Sequence, residues 1–542
     1  MSLNHHLSAL RFHIQSTPAT FSPRLGTVTL CRLAEDISID LQTPGLITST
    51  SRGVVPHLSS DHVRVSDAVR WIHVPFESFL ELSPPLPTLH PGPYPSHACL
   101  GLRPNRHVLT MSLRDPADDR DMPPNGNDFV SALCLRGVRK VTPNEWRDYT
   151  LSAQPDVLVA LSDVPLTSGP HSQKRITKSI ERSASWLANL LRPLPGRHVS
   201  AGAASHLLNV LVHMAGGIAP KARQAFSRSL LEPLFDKEAE AIRPLNNLDQ
   251  GVAGYTFDLA PLRKSLSPDA PRPAPTGGLG AGIDPFSVPP APSVTAQIIS
   301  LIRTSLEPLP ATKPRVVHSA GSPHEILALI RDIGIDLFDA HWAQRAADVG
   351  VALDFVFPAP ADISGPAPRE IGHNFYDERY SHDFSPFADA LRSCTADQLD
   401  ERPPCTCMAC APSRPSEPLK HSRVDEAPPL HAPVPYTRAY VHHLLHTHEM
   451  SAHTLLALHN LAVLDTFFAG VRRVLSERPA ALSQEIRQFE QTYDGKLGVL
   501  AEAKKAWTEV NLARGKGRLA REREREKQRQ RQDTLGTAVE LN

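Results

Sequence analysis

Three cysteines lie within six residues toward the C-terminal end of the chain, as Cys405-Thr-Cys407-Met-Ala-Cys410. A histidine-rich stretch follows them and includes the pair His459-Asn460. Thiolates this close in sequence can converge on one soft or borderline cation, and three thiolates with one imidazole complete the tetrahedral shell that Zn²⁺ prefers. A closed shell leaves no position for a reactive water. The pattern therefore predicts one structural zinc ion per chain.

The histidine that closes this shell is not fixed by the spacing of the residues alone. The candidates on or near one predicted helix are His442, His443, His446, His448, His453 and His459. His442 and His446 are an i,i+4 pair, which places two imidazoles on one helix face where they could bind a metal. Most histidines on a polar helix face are simply solvated. His442 and His443 therefore stay as alternatives to His459.

The elements that must position such a site alternate between short apolar runs and helical patterns. Strands are predicted at 156–163, 209–217, 251–258, 314–321 and 335–339, and helices at 174–191 and 323–332. Along the first helix, Ile176, Ile180, Trp186 and Leu187 form an apolar stripe that is predicted to lie opposite Lys178 and Arg182. Repeated alternation of this kind is typical of a parallel α/β fold, in which ligands bind at the carboxyl ends of the strands.

Composition and charge limit the classes of function. The 542 residues carry 57 Lys+Arg and 57 Asp+Glu, so nucleic-acid binding would need a local basic patch rather than a global field. We expect no secretory signal, because the N-terminus lacks a basic stretch followed by an apolar run. We also expect no transmembrane segment, because no uninterrupted apolar run approaches the ~20 residues that span a bilayer. The four other cysteines are scattered singly, which favours a reducing cytoplasm over a disulfide framework.

Two long segments interrupt the pattern, and a charged tail ends it. Residues 265–293 are rich in Pro, Gly and Ala, and residues 411–435 show no apolar period, so both are predicted to be loosely attached loops. The stretch 518–532 alternates Arg, Glu and Gln with almost no apolar face. It is interpreted as a solvated helix or a disordered tail, with a basic arm that contacts RNA phosphates as the alternative.

Several segments together resemble one family, the tRNA-guanine transglycosylases. The similarity rests on the cysteine cluster, on Arg438-Ala-Tyr440 at the start of the histidine-rich helix, and on the closing His459-Asn460. The resemblance implies a (β/α)8 TIM-like barrel with a zinc-binding subdomain near the C-terminus, and it assigns the zinc ligands to Cys405, Cys407, Cys410 and His459. The predicted division is a β-rich segment at 1–62, the barrel at 63–390, the zinc subdomain at 391–478 and a charged tail at 479–542.

Members of this family replace a guanine in tRNA through a covalent aspartate–ribose intermediate. The resemblance places Asp339 at the position of the nucleophile, Asp163 at that of a purine-contacting aspartate, and Gly216-Gly217 at that of a purine-binding Gly-Gly element. The family's acid/base aspartate lies in an Asp-Ser-Gly-Gly-Phe-Gln segment, and residues 80–130 contain no such segment. Without proton transfer, typically worth roughly 10²–10⁴-fold, a nucleophile cannot expel a purine efficiently at neutral pH.

Each of these three positions also has an ordinary structural interpretation. Asp339 could cap the helix or turn after its strand, Asp163 could serve an N-cap or turn, and Gly216-Gly217 could form a tight turn between strand and helix. For Asp339 the structural role is favoured over a working nucleophile. For Asp163 the two roles have similar weight.

Two hypotheses follow from the resemblance. In the first, the chain is a non-catalytic subunit that pairs with a catalytic queuine tRNA-ribosyltransferase subunit and helps to hold tRNA. It binds one structural Zn²⁺. This hypothesis also leaves a homodimer open as a further assembly. In the second, the chain is itself a transglycosylase with Asp339 as nucleophile. The missing acid/base segment favours the first. The cytoplasm is the expected compartment, with a peripheral position at the mitochondrial outer membrane as the alternative that the resemblance implies.

Overall fold

A computed structural model describes residues 8–15, 19–32, 36–134, 136–166, 171–193, 208–267, 291–360, 367–388, 405–411 and 435–512. The strands in chain order are β1 (Ser8–Ile14), β2 (Gly26–Arg32), β3 (Ile37–Thr43), β4 (Gly45–Ser49), β5 (Trp71–Pro75), β6 (Val108–Ser112), β7 (Val130–Cys134), β8 (Gly137–Val141), β9 (Val157–Val159), β10 (Val210–His213), β11 (Val252–Asp258), β12 (Arg315–His318), β13 (Leu337–Asp339), β14 (Val351–Leu353) and β15 (Gly372–Asn374). The predicted tail at 518–532, most of the two predicted loops and the end of the barrel segment at 390 lie outside the described residues.

The α-helices complete the set of elements. They are α1 (Ser60–Val65), α2 (Pro95–Leu100), α3 (Pro143–Ala153), α4 (Gln173–Leu190), α5 (Pro220–Leu231), α6 (Asp236–Ala241), α7 (Leu259–Leu266), α8 (Pro292–Leu306), α9 (Pro323–Ile333), α10 (His341–Asp348), α11 (Arg438–His446), α12 (Met450–Glu477) and α13 (Leu482–Thr492). A further helical stretch covers 498–512 at the end of the described residues.

Eight parallel strands close into a barrel, as expected for the TIM-like fold. Around the barrel the order is β4, β5, β6, β9, β10, β11, β12 and β13, and β13 pairs with β4 to complete the ring. The strands are short and buried on both faces, and helices follow them in sequence, as parallel sheets require. The first barrel strand, Gly45–Ser49, lies inside the range 1–62 that was predicted as a separate β-rich segment.

The antiparallel sheet β1–β2–β3 covers the amino-terminal end of the barrel. Val28, Leu30 and Ile39 of this sheet share a buried apolar cluster with Trp71 and Val108, the first residues of β5 and β6. Two buried ion pairs, Arg24–Asp336 and Arg32–Asp156, join the same surfaces. This end of the barrel is therefore closed, and a ligand of the barrel itself would bind at the opposite, carboxyl end.

The 28-residue helix α12 packs along the barrel and carries the predicted metal ligand His459. It contacts α10, α11, β4 and β14, and residues along much of its length are buried. Within the described part of the chain it is the one helix long and apolar enough to span a membrane, and 67% of its apolar window is buried inside the protein. Its apolar character is that expected of a core helix, because the same side chains form the packing surface between the barrel and the C-terminal subdomain.

One residue of the helix α4 lies on a different face of the helix from the one predicted. The buried face of the helix is formed by Ser179, Ser183, Trp186, Leu187 and Leu190. Arg182, which was predicted to lie on the solvent side with Lys178, is instead turned toward the barrel and is mostly buried. The prediction for Arg182 was wrong because a long side chain with a buried carboxylate as partner can lie on the core side of a helix.

Candidate functional site: a metal centre beside a barrel mouth

The three cysteines and His459 converge in the C-terminal subdomain. The ligand atoms of Cys405, Cys407, Cys410 and His459 all lie within 4.8 Å of one another. The distances from Nδ1 of His459 to the Sγ atoms of Cys405, Cys407 and Cys410 are 3.7, 3.6 and 3.4 Å. The histidine is fully buried in the middle of α12.

These distances match a tetrahedral metal site. With metal–sulfur bonds of about 2.3 Å and metal–nitrogen bonds of about 2.0–2.1 Å, the sulfur–nitrogen edge of a tetrahedron is about 3.6 Å. Four ligands at that spacing fill the coordination shell. The arrangement can therefore hold a cation and stabilise the subdomain, and it offers no coordination position for chemistry.

The local backbone explains how the sulfurs come together. The amide of Ala411 donates to the carbonyl oxygen of Cys407 at 2.8 Å, and the amide of Cys410 donates to the Sγ of Cys407 at 3.3 Å. The segment thus folds into a tight turn around the sulfur of Cys407. The amide of Tyr436, just before α11, donates to the carbonyl oxygen of Ala409 at 3.0 Å and fastens this turn to the subdomain.

The orientation of His459 is fixed from the side away from the sulfurs. Its Nε2–H donates to the carbonyl oxygen of Leu353, the last residue of β14, at 2.9 Å. This bond leaves the lone pair of Nδ1 directed at the sulfurs, the tautomer that a metal ligand needs. Histidine ligands in metal sites commonly have a hydrogen-bond acceptor at this second position.

The electrostatics of the cluster also favour a cation. Burial alone would lower the pKa of His459, but contact with the sulfurs of Cys405 and Cys407 raises it well above the usual value. The pKa of the Cys410 thiol is raised, because hydrogen bonds to the other two sulfurs favour its protonated form. The group of three sulfurs and one imidazole therefore retains protons when no metal is bound. A divalent cation that binds to the same four atoms displaces those protons.

The alternative histidines lie elsewhere. His443 is exposed, and Nδ1 of His442 lies 2.9 Å from the carbonyl oxygen of Phe375. Neither belongs to the four-residue cluster. The geometry thus selects His459, the residue that the family resemblance assigned.

The motif residue Arg438 supports the same subdomain. Its guanidinium is buried and donates to the carbonyl oxygen of Pro386 at 2.7 Å and to a carboxylate oxygen of Asp383 at 3.3 Å. The backbone of Ala439 also donates to the carbonyl oxygen of Asp383 at 2.8 Å. The start of α11 is therefore fastened to the segment 383–387, and the ring of Phe387 in this segment lies 5.4 Å, centroid to centroid, from the ring of His459.

Asp163, Gly216-Gly217 and Asp339 all lie at the carboxyl end of the barrel, as predicted from their positions after β9, β10 and at the end of β13. Asp163 is fully buried. Its carboxylate accepts two hydrogen bonds from Arg175 at 2.7 Å, one from Asn125 at 2.7 Å and one from Arg182 at 3.0 Å. Since a carboxylate offers about four lone-pair sites, this residue is fully occupied within the protein.

The Gly216-Gly217 pair forms a tight turn between β10 and α5. Both residues have positive φ, and a Cβ on Gly216 would lie 2.6 Å from the backbone nitrogen of Arg223. The carbonyl oxygen of Gly217 accepts a hydrogen bond from Nε of Arg223 at 2.6 Å. The local need for glycine at 216 therefore comes from contact with α5, independently of any bound base.

Asp339 is buried among polar groups at the end of β13. Its Oδ2 accepts the amide hydrogen of Ser319 at 2.8 Å and lies 3.8 Å from Nδ1 of His318. Its Oδ1 is buried and has no hydrogen-bond partner among the described residues. The carboxylate thus organises the turn after β12 and does not cap α10, whose N-cap is Ala340 without a side-chain bond.

The cavity beside these residues is too small for a purine. It has a volume of about 30 Å³ and is lined by residues that include Asp163, His213, Gly216 and Asp258, with Asp339 outside the lining. That volume corresponds to about one water molecule, whereas ligand pockets usually measure about 300–1,000 Å³. In this conformation the cavity next to Asp163 and Gly216 therefore has no room for a base.

Three histidines at the barrel mouth were not singled out from the sequence. His73 lies 2.9 Å from Oγ of Ser112, and its ring centroid is 4.9 Å from that of His318. Nε2 of His213 lies 3.0 Å from Oδ2 of Asp258. His213 and His318 end β10 and β12 after apolar runs, which was the only local signal available for them, and His73 lies in the middle of β5.

Comparison with known proteins agrees with this architecture. Residues 282–494 match a family model described as TGT, queuine tRNA-ribosyltransferase, a range that contains β12, β13, the cysteine turn and α12. Longer similarity is found with curated proteins. The chain is similar to queuine tRNA-ribosyltransferase accessory subunit 2. The relative from Schizosaccharomyces pombe is 25% identical over 462 residues, which cover 84% of this chain and 79% of the relative.

Vertebrate relatives with the same name show similar values. The protein from Gallus gallus is 26% identical over 472 residues, covering 84% of this chain and 92% of its own length. The protein from Danio rerio is 25% identical over 499 residues, which cover 86% of this chain and 95% of the relative. Similarity to queuine tRNA-ribosyltransferase accessory subunit 2 therefore includes both the barrel and the metal cluster, and not the cysteine motif alone.

Proposed function

We propose that this chain is a non-catalytic subunit of a queuine tRNA-ribosyltransferase complex. It would pair with a separate catalytic subunit, and the complex would exchange guanine for queuine at the anticodon wobble position of tRNA. The observation that carries the proposal is the carboxylate of Asp163, which is saturated by Arg175, Arg182 and Asn125. A side chain whose lone pairs are already used cannot also read the edge of a purine.

Two further observations support a non-catalytic role. The cavity at the barrel mouth has room for about one water, and residues 80–130 lack the acid/base segment of catalytic family members. The relatives named above are called accessory subunits, which supports the same interpretation over a self-sufficient transglycosylase. tRNA is the proposed common substrate of the complex, a homodimer is an alternative assembly, and the cytoplasm or the mitochondrial outer surface is the proposed location.

We also propose Zn²⁺ as the occupant of the site formed by Cys405, Cys407, Cys410 and His459. Thiolates and imidazole in a tetrahedral arrangement are the ligands that structural zinc prefers. The sulfur–nitrogen distances of 3.4–3.7 Å are those of such a tetrahedron. Zinc would supply folding energy to the subdomain, and the cluster would shape the surface that meets the catalytic subunit.

The deciding experiment is incorporation of labelled queuine into tRNA. Three samples are assayed: the full chain alone, the catalytic subunit alone, and the two together. Each assay that contains the chain is then repeated with its Asp339→Asn variant. This change keeps an oxygen to accept from the Ser319 amide, so we expect the variant to fold, and its thermal unfolding serves as the control. We expect no turnover by the chain alone, and turnover by the pair that Asp339→Asn leaves unchanged.

The opposite pattern would overturn the proposal. Turnover by the chain alone that is abolished by Asp339→Asn would make Asp339 a nucleophile and the chain an enzyme. A catalytic subunit that neither binds the chain nor gains activity from it, as judged by size-exclusion chromatography and the same assay, would exclude the role of partner.

A further inference from the structure

A second group of potential metal ligands lies in the C-terminal subdomain, apart from the cysteine cluster. It consists of His442 and His446, one turn apart on α11, and Glu378, in the 3-10 turn Glu378–Tyr380. One ligand atom from each residue lies within 4.8 Å of the others, and the two imidazole centroids are 4.2 Å apart. The sequence alone showed only the histidine pair, because the carboxylate is more than sixty residues away.

The hydrogen bonds of the two histidines prepare both of them to bind a cation. Nδ1 of His442 lies 2.9 Å from the carbonyl oxygen of Phe375, and Nδ1 of His446 lies 3.0 Å from the carbonyl oxygen of His442. A carbonyl oxygen can only accept, so Nδ1 carries the hydrogen in each ring and the neutral ring has its lone pair on Nε2. A backbone acceptor on the second nitrogen is the arrangement found around metal-bound histidines.

The remaining ligand atoms are not used elsewhere. Neither Nε2 atom has a hydrogen-bond partner in the ranges that the structure describes, and the carboxylate of Glu378 makes no hydrogen bond or ion pair there. The neighbouring Arg379 is held by Asp377, to which its Nε donates at 2.8 Å, so this cation is tied to another carboxylate. Tyr376 packs edge-on against the ring of His446, with centroids 5.7 Å apart, and limits its rotation.

We propose that Glu378, His442 and His446 form a second divalent-cation site that takes a first-row transition metal such as Zn²⁺, Co²⁺ or Ni²⁺. Imidazole nitrogens favour these ions over Mg²⁺ and Ca²⁺, which prefer oxygen ligands. Three protein ligands leave coordination positions to water, and Glu378 is exposed. The site is therefore weaker and more exchangeable than the closed Cys3His cluster. It links the turn at 378–380 to α11, and it does not depend on the proposed function.

The test uses Co²⁺ as a spectroscopic probe with the tag-free, full-length protein. A brief EDTA treatment removes weakly bound metal, and elemental analysis verifies that the tightly bound equivalent stays. We expect titration with Co²⁺ to fill one further equivalent, which shows visible d–d bands and no thiolate-to-cobalt charge-transfer band. The absence of the charge-transfer band separates this site from the cysteine cluster.

Matched variants locate the binding. Glu378→Gln and His446→Gln change exposed or half-buried side chains, and we expect each to weaken Co²⁺ binding at least about tenfold, the minimum that losing even an outer-shell partner costs. His443→Gln, on the exposed side of the same helix, should leave the affinity unchanged. The proposal is overturned if no additional equivalent binds, if both ligand variants keep the wild-type affinity, or if His443→Gln weakens binding equally.

Discussion

The side-chain oxygen of Asn460 accepts the amide hydrogen of Leu353 at 2.9 Å. The carbonyl oxygen of the same leucine accepts from the neighbouring His459 at 2.9 Å. The other end of the Asn460 amide donates to the carbonyl oxygens of Val351 at 2.9 Å and Ala343 at 3.1 Å. The His-Asn pair of the family motif thus has two linked roles. One residue faces the metal site, and the other fixes the strand that orients it.

Replacement of Asn460 by alanine tests this link. Asn460 is fully buried, so Asn460→Ala removes the partner of the Leu353 amide and one hydrogen bond from each of two backbone carbonyl oxygens, at a cost of about 3 kcal/mol in the free energy of unfolding. Since Leu353 then holds His459 less firmly, metal affinity should fall about 10–100-fold. Urea unfolding and competition with a chelator measure the two effects. Asn511→Ala, exposed near the end of the described chain, should change neither quantity.

Loss of one sulfur tests the closed shell. Cys407 is buried and lies closest to the centre of the turn, so Cys407→Ser should release about one equivalent of zinc and destabilise the subdomain, because metal binding there contributes folding energy. His459→Ala should have the same effect, while His443→Ala should retain the metal. Elemental analysis and thermal unfolding give the result. Full zinc content in Cys407→Ser would contradict the assignment of Cys407 as a metal ligand. Cys31→Ser, on β2, serves as the control for a cysteine outside the cluster.

Removal of the saturated carboxylate tests its structural role. Asp163→Asn leaves the guanidinium groups of Arg175 and Arg182 without their buried counter-charge, and breaking such a pair from one side typically costs about 3–5 kcal/mol. Lys178→Ala, exposed on the same helix, should stay within about 0.5 kcal/mol of the wild type. Denaturant unfolding measures both. An Asp163→Asn protein as stable as the wild type would mean that the network does not hold α4 to the barrel.

The sequence predicted best those features that depend on residues close to one another in the chain. The strand ends that carry Asp163, Gly216-Gly217 and Asp339 were placed within a few residues, because apolar runs ending in polar residues are a short-range signal. The three cysteines of the cluster lie within six residues of the chain, so the sequence alone grouped them, whereas His459 was assigned by the family resemblance. The barrel and its closure were obtained from the family resemblance rather than from the strand pattern alone.

The features that could not be predicted depend on contacts between distant residues. Arg182 was assigned to a solvent face because helix periodicity gives no information about a buried carboxylate on another element. The contact of Asn460 with Leu353 joins α12 to β14 across more than a hundred residues, and that of Glu378 with His446 joins a turn to a helix. Such pairs become visible only when the fold sets their separation in space.

Burial of Glu77 gives the protein a pH dependence that can be isolated. The carboxylate accepts the amide hydrogens of Asp115 at 2.9 Å and Leu133 at 3.0 Å, and it joins the loop after β6 to β7. Burial is the largest effect and raises the pKa of Glu77 from 4.5 to about 7, although the two backbone hydrogen bonds oppose it. The folded protein therefore retains a proton that the unfolded chain loses near pH 4.5.

The comparison of wild type with Glu77→Gln measures this effect, because glutamine imitates the protonated side chain and does not titrate. As pH rises from 4.5 to about 7, the folded wild type binds more protons than the unfolded chain, so its stability falls relative to the variant. The total change in the difference of unfolding free energies is about 3 kcal/mol, and the difference becomes constant above about pH 7. Urea unfolding at intervals of pH between 4.5 and 8 gives the curve. A difference in unfolding free energy that is independent of pH would show that Glu77 titrates normally in the folded protein. Glu81→Gln changes a half-buried residue of the same segment and controls for a general effect of charge.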